Sequence, residues 1–196
     1  MKLKEIADIS TGYSFRSKIN HDPNGNIKVI QMSDVDRHQG ILVENLQRLA
    51  NFKPRSDRYF LKPGDVIMIS KGYNMDAFVV PEGIGQAVAA NSFVTLSVNN
   101  SLMSPNFLAW LLNSKRSQHY FKELAAGTNI PSLSIKALEA LEVNLPSMEQ
   151  QVLIGKIEHL KKREIYLHHK IAEKKEQLID ELLQRHTDKL NSSSRK

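Results

Sequence analysis

Residues 146–185 read PSMEQQVLIGKIEHLKKREIYLHHKIAEKKEQLIDELLQR. No proline follows Pro146, and the only later glycine is Gly155, so little in this segment interrupts a helix. Leu153, Ile157, Leu160, Glu164, Leu167, Ile171, Lys174 and Leu178 step alternately by four and three, the a/d spacing of a coiled-coil seam. One helix of ~39 residues at ~1.5 Å per residue is about 58 Å long. Two seam positions are charged. In a parallel pair, Glu164 and Lys174 would each face their own copy. In an antiparallel pair with its two-fold axis at the level of residue 169, Glu164 faces Lys174 of the second chain, Leu167 faces Ile171 and Leu160 faces Leu178. A single register matches both charges and keeps these two layers apolar, which is how polar seam residues specify a pairing. The expectation is an isologous antiparallel homodimer. A second apolar line, Ile154, Ile165, Ala172, Ile179 and Leu182, lies off this seam. It either packs on the chain's own globular part or docks another protein.

Upstream of Pro146 the texture changes. Eight of the 9 glycines lie there, and short β-branched runs alternate with turn residues. The pattern predicts a short helix over Leu3–Ile9, strands over Ile27–Met32, Val66–Ser70, Ala77–Val80 and Phe93–Val98, and a last strand over Leu141–Leu145. It also predicts a helix from an N-cap at Ser104 to about Ala126, and a helical turn over Ser134–Leu138. The fold class is therefore α+β (mixed α/β): a globular domain over 1–145, a long helix over 146–190 that pairs as an antiparallel coiled coil, and a disordered tail over 191–196.

Composition narrows the function. The chain has 196 residues, 27 Lys+Arg against 21 Asp+Glu, a net charge of +6 and no cysteine. A disulfide scaffold, a Cys-ligated metal centre and a thiol nucleophile are thereby excluded. The start lacks the apolar region of a signal peptide, and no apolar run approaches the ~20 residues that span a bilayer. A soluble, cytoplasmic protein without membrane contact is expected, with a charge that permits a nucleic-acid partner without demanding one.

Catalytic patterns are missing. Gly83-Ile84-Gly85 begins a G-x-G, but position 88 is Val. Glu173-Lys174-Lys175 matches half a nuclease motif only formally, since its side chains splay around a helix. His168 and His169 are adjacent, not spaced i, i+4 for a shared metal. The reading is a non-enzyme with no cofactor and no metal. Recognition residues are easier to find. Arg48, Lys53, Arg55, Arg58 and Tyr59 cluster in a polar, proline-containing stretch with only Asp57 opposing. The strand from Val66 delivers Lys71-Gly72-Tyr73-Asn74 into a second loop. Arg16 with Lys18, and Arg37 with His38, add two smaller groups. Arg and Lys can take phosphates or guanine edges, and an Asn amide matches adenine.

Several segments together resemble the specificity subunit of type I restriction–modification systems. They are Leu3–Ile9 with Thr11-Gly12 and Phe15; Lys62-Pro63-Gly64-Asp65-Val66-Ile67-Met68; Asn106–Ser114; and Gly127-Thr128-Asn129-Ile130-Pro131-Ser132-Leu133-Ser134, leading through Leu138, Leu141 and Val143 into Leu145-Pro146-Ser147-Met148-Glu149-Gln150-Gln151 and Ile154. The resemblance implies a target recognition domain, followed by a conserved helix, that reads one half of a split DNA target. It implies no catalysis of its own, and as partners a methyltransferase (modification) subunit and a restriction subunit. Such subunits usually carry two recognition domains and two helices, so this chain resembles one half, which two copies would complete. The Gly127–Pro131 motif is expected to turn the chain into the long helix, and the basic loops to read bases. A coiled-coil adaptor and a stand-alone DNA-binding regulator are the rival readings.

Overall fold

The computed structural model describes residues 1–50, 52, 54, 56–125 and 131–193, with side chains to residue 188. In chain order the elements are β1 (Ala7–Thr11), β2 (Ile27–Ile30), β3 (Val35–Asp36), β4 (Gly40–Ile41), β5 (Gln47–Leu49), β6 (Val66–Ile69), β7 (Ala77–Val79), β8 (Ala87–Ala89), β9 (Phe93–Val98), α1 (Pro105–Asn113), α2 (Lys115–Leu124), α3 (Ile135–Glu139) and α4 (Met148–Ser193). The domain is a mixed α+β unit, and α4 leaves it as the long helix. Among the described residues no helix is long and apolar enough to cross a membrane.

The uniformly apolar β6 sets the layers. Its side chains alternate between two cores: Val66 and Met68 join Leu96, Phe107, Leu108 and Leu112 on one side. Ile67 and Ile69 join Ile30, Phe78 and Phe93 on the other. A strand buried on both faces reads as a continuous hydrophobic run. It lies within the antiparallel sheet β1-β9-β6-β7. A smaller sheet, β5-β2-β8, closes the second core, and β2 and β8 run parallel. Helices α1 and α3 cover the first sheet's outer face.

Several expectations need correction. Leu3–Ile9 is not a helix: Leu3–Glu5 forms one 3-10 turn and Ala7–Thr11 pairs in full register with β9. Tertiary pairing overrides a pattern too short to fix its own period. The single helix expected from Ser104 to Ala126 is two helices. Ser114 has extended backbone between them, and its Oγ accepts the Ser117 N–H (3.3 Å) to start α2. Leu141–Leu145 forms no strand and makes one bridge, Glu142 to Lys2. Ser104 does not cap α1 with its side chain. Helix α4 continues through Ser193, beyond the expected boundary at 190.

What holds α4 is a buried amide. Gln151, 1% exposed, accepts the Ser104 N–H on Oε1 (2.9 Å) and donates from Nε2 to the carbonyls of Leu102 and Pro146 (3.1 Å each). Ser147 and Gln150 form a reciprocal capping box at the helix start. One turn further, a Cβ on Gly155 would stand 2.8 Å from Asn106 Cβ, so only glycine allows the two helices this approach. Glu158, Lys162, Ile165 and Tyr166 continue the half-buried stripe. At about 100° per residue this stripe lies on the side of α4 opposite the predicted seam. All eight seam residues are exposed, and the six apolar ones are 45–64% exposed.

Gln151→Leu would strand three backbone groups. The expected loss is on the order of 2–4 kcal/mol in urea denaturation, against less than about 0.5 kcal/mol for the exposed Lys156→Gln. Equal midpoints for both variants would contradict this account of the joint.

Candidate nucleic-acid interface

Beyond Ile69 the chain turns outward. The Ser70 N–H and Oγ both donate to the Ser92 carbonyl (2.8 and 3.1 Å), tying the loop to the β8–β9 turn. On the other side, Gly72 N–H donates to Pro131 O and Leu133 N–H to Ser70 O, both at 2.8 Å. Gly72 has φ +114°, which a side chain would strain. The Lys71–Asn74 loop is thus pinned along both flanks, with Lys71 and Asn74 exposed and Tyr73 74% exposed. Residues 127–130 lie outside the described residues, but Pro131–Leu133 buttresses the loop, and Gln151 directs the chain into α4.

The same β8–β9 turn connects a second group. Asn91 Nδ2 donates to Ser14 Oγ (3.4 Å), and Tyr13 N–H donates to Ala89 O (2.7 Å). Exposed Arg16 and Lys18 follow. The Tyr13 ring meets Phe15, Phe52 and Tyr59 edge-on at centroid distances of 4.9, 5.0 and 5.1 Å. Arg58 lies over the Tyr59 ring at 5.0 Å and donates to its hydroxyl at 3.1 Å. This aromatic cluster brings the Arg48–Tyr59 stretch beside the Arg16–Lys18 stretch. Lys53 and Arg55 lie outside the described residues.

Arg48 stands on β5 directly opposite Lys28 of β2. Like charges opposed across an antiparallel pair are unfavourable, and an anion over the sheet would relieve them. Arg37, on the β3–β4 hairpin, lies 3.7 Å from Asp76 and shares a cleft of about 430 Å³ with Met32, Gly72, Tyr73 and Asn74. The hairpin is shaped by Asp36, whose Oδ1 accepts the His38 and Gln39 N–H groups at 2.8 Å. Burial works to raise the Asp36 pKa. The Gln39 and His38 bonds and the neighbouring His38 charge outweigh it and hold the carboxyl below its ordinary value.

The structure therefore links four sequence-distant basic groups through contacts rather than through periodicity. Lys28, Asn91, Tyr13, Phe15 and Phe52 belong to this surface but escape sequence reasoning. The aromatics carry no spacing signal, and Asn91 acts across 77 residues. Among the described residues, Arg16, Lys18, Arg48, Arg58 and Lys71 form no ion pair within 4.0 Å. Nor does any group of three or more His, Asp or Glu side chains there come close enough to hold a metal. On α4, Ile154 packs against the chain's own core and Ile165 is half-buried, so these two turn inward rather than toward a partner. Ile179 and Leu182 are exposed.

Comparison with known proteins places this arrangement. The chain matches the family described as type I restriction modification DNA specificity domain over residues 1–185. It is 28% identical over 157 residues to the type I restriction enzyme HindI specificity subunit of Haemophilus influenzae, covering 76% of this chain and 32% of that protein. It is 24% identical over 164 residues to the MjaIX specificity subunit of Methanocaldococcus jannaschii, covering 80% of this chain and 36% of that protein. The chain thus spans about a third of the length of these curated relatives. The fold is shared with a chain from a solved type I R-M system, at TM-score 0.65 and 20% identity over 88% of this chain and 44% of that one. It is also shared with the HsdS subunit from Thermoanaerobacter tengcongensis, at TM-score 0.55 and 17% identity over 85% of this chain and 37% of that one. With an outward rim of basic loops on a mixed α+β domain and a long helix leaving it, the chain belongs to the family of type I restriction modification DNA specificity domains.

Proposed function

We propose that this chain is the DNA-reading component of a type I restriction–modification enzyme. It reads one half of a bipartite target, carries no reaction centre, and directs methyltransferase and restriction subunits to the site. The observation that carries the reading is the division of α4 into two opposite faces. One is occupied by the chain's own domain, and the other displays the complete seam. In that register Leu160, Leu167, Ile171 and Leu178 meet apolar partners, while Leu153 and Ile157 face Arg185 and Glu181 of the second copy. Burying the four half-exposed apolar side chains would contribute on the order of 1 kcal/mol each.

The antiparallel register then has geometric consequences. The domain-facing stripe is centred near residue 159, ten residues from the axis at 169. Two domains would sit about 30 Å apart along the helix pair, which is about 9 base pairs at ~3.4 Å each. They would be related by a two-fold axis, and a symmetric reader requires a symmetric target. Lys71–Asn74, Arg37 and the Arg16–Lys18 and Arg48–Tyr59 groups are the proposed DNA contacts, Lys53 and Arg55 included. Exposed Ile179, about 100° from the seam, is the proposed docking point for the methyltransferase subunit; Leu182 lies only about 40° from seam residue Leu178 and is the weaker candidate.

Sedimentation should give a dimer at micromolar concentration. Glu164→Lys should dissociate it, and Lys174→Glu in the same chain should restore it; a monomeric parent chain would overturn the pairing. Methylation mapping in cells supplying the methyltransferase should return an interrupted palindrome. An asymmetric bipartite site would instead require a different second half. Arg55→Ala or Lys71→Ala should weaken DNA binding by about tenfold. Unchanged affinity and methylation pattern in both would refute the loop assignment.

A further inference from the structure

A second recess, of about 540 Å³, lies where the β3–β4 hairpin, the α1–α2 junction and α4 meet. Its charged lining comes from three separate elements: Arg37 on the hairpin, Lys115 at the start of α2, and Lys161, Lys162 and Glu158 on α4. Glu158 is the only carboxylate on the described wall, and it is already engaged by Lys161. Arg37 has Asp76 at 3.7 Å, but Lys115 and Lys162 have no carboxylate within 4.0 Å among the described residues.

Lys162 is the informative member. It is half-buried on the face of α4 that the domain occupies. Burial pushes its ammonium below the usual lysine range, more strongly than Glu158 and Asp76 hold it up. A neutral side chain would suit a purely structural position better, because an ammonium withdrawn from water without a contacting anion is costly. The recess is therefore short of negative charge. A phosphodiester supplies it, and it accepts several N–H donors at once. Arg37 also lines the cleft beside Gly72, Tyr73 and Asn74, so the two depressions adjoin.

We propose that the recess formed by Arg37, Lys115, Lys161 and Lys162 holds a backbone phosphate of the DNA whose bases the Lys71–Asn74 loop meets. The long helix is then part of the DNA grip as well as the arm between domains. This rests on the DNA-reading function proposed above.

The test measures duplex binding by fluorescence anisotropy for the full chain with its methyltransferase subunit, over 50–300 mM salt, alongside thermal melting of the chain alone. Lys162→Gln and Lys115→Gln should each lower the slope of log K against log salt by about one. They should weaken target and non-target duplexes by the same several-fold factor, with the methylated sequence unchanged. Lys162→Arg should retain parental binding, and Lys162→Gln should melt no lower than the parent, since it removes a half-buried unpaired charge. Unchanged slope and affinity in both Gln variants would overturn the phosphate site, as would a loss confined to the target duplex. Inorganic phosphate that stabilises the parent but not Lys162→Gln, with DNA slopes equal, would mark a site for free phosphate and also overturn it. If the parent complex fails to bind DNA at any salt, the DNA-reading function itself is what fails.

Discussion

The rotational setting of α4 about its own axis is the constraint on which the rest depends. A turn of one residue, about 100°, would bury part of the seam under the domain and expose the stripe that now packs. Gln151 fixes that setting by spending its whole side-chain amide on backbone groups of Ser104, Leu102 and Pro146. Gly155 then lets α1 approach closely enough to lock it. The lock reaches further through two other amides. Asn113 pairs with both the N–H and the carbonyl of Ala77 at 2.8 Å, like an added strand residue, and covers the edge of β7. Gln118 bonds the carbonyls of Met75 and Leu112. These amides sit between helices and sheet, where an unpaired polar group would be costly, so they tolerate one arrangement.

Because the helices are fixed to β6 and β7, so are the loops those strands emit. The Lys71–Asn74 loop begins where a strand buried on both faces ends, and it inherits that rigidity. The hairpin carrying Arg37 packs on β7, with Ile41 and Phe78 in one core, and its His38 ring stands 6.0 Å from His169 of α4. The Asp36 carboxylate that shapes its turn is held below the ordinary range. Its contribution is therefore complete at neutral pH and declines as pH falls through that lowered value. Basic side chains on rigid supports lose less freedom on meeting a ligand than the same side chains on a loose loop.

What was legible in the sequence is what is local and long. Strand Phe93–Val98 and helix α4 announce themselves by period, and the helical turn expected over Ser134–Leu138 is α3, with Ser134 as its cap. The apolar Val66–Ile69 run is a strand for the reason a buried strand must be. Strands of two or three residues, such as β3, β4, β5 and β8, have no period to read, and they exist because a neighbour offers hydrogen bonds. The Leu3–Ile9 error has the same origin, since its pairing with β9 is a fact about residues 94–98. The basic loops could be nominated one by one, but not joined. Their junctions are Asn91 with Ser14 and Tyr13 with Tyr59, contacts that only the folded chain creates. Ile154 and Ile165 were ambiguous for a similar reason, since an apolar line does not say which surface will cover it.

The outer arm of α4 carries the argument beyond one chain. From Ile171 to Asp188 every described side chain is exposed, and the helix there draws no support from its own domain. Propensity alone leaves a water-exposed segment of that length marginal. The arm displays two apolar lines, the seam through Ile171 and Leu178 and a flank through Ile179 and Leu183, separated by about 100°. A second copy laid in the seam covers the first line and leaves the second. In an antiparallel pair the two-fold axis is perpendicular to both helices, so it brings the corresponding flanks of the two chains to the same broad face. With Ile179 and Leu183 ten and fourteen residues from an axis at 169, those flanks would stand about 30–42 Å apart along the pair, so a short partner helix would meet each copy separately.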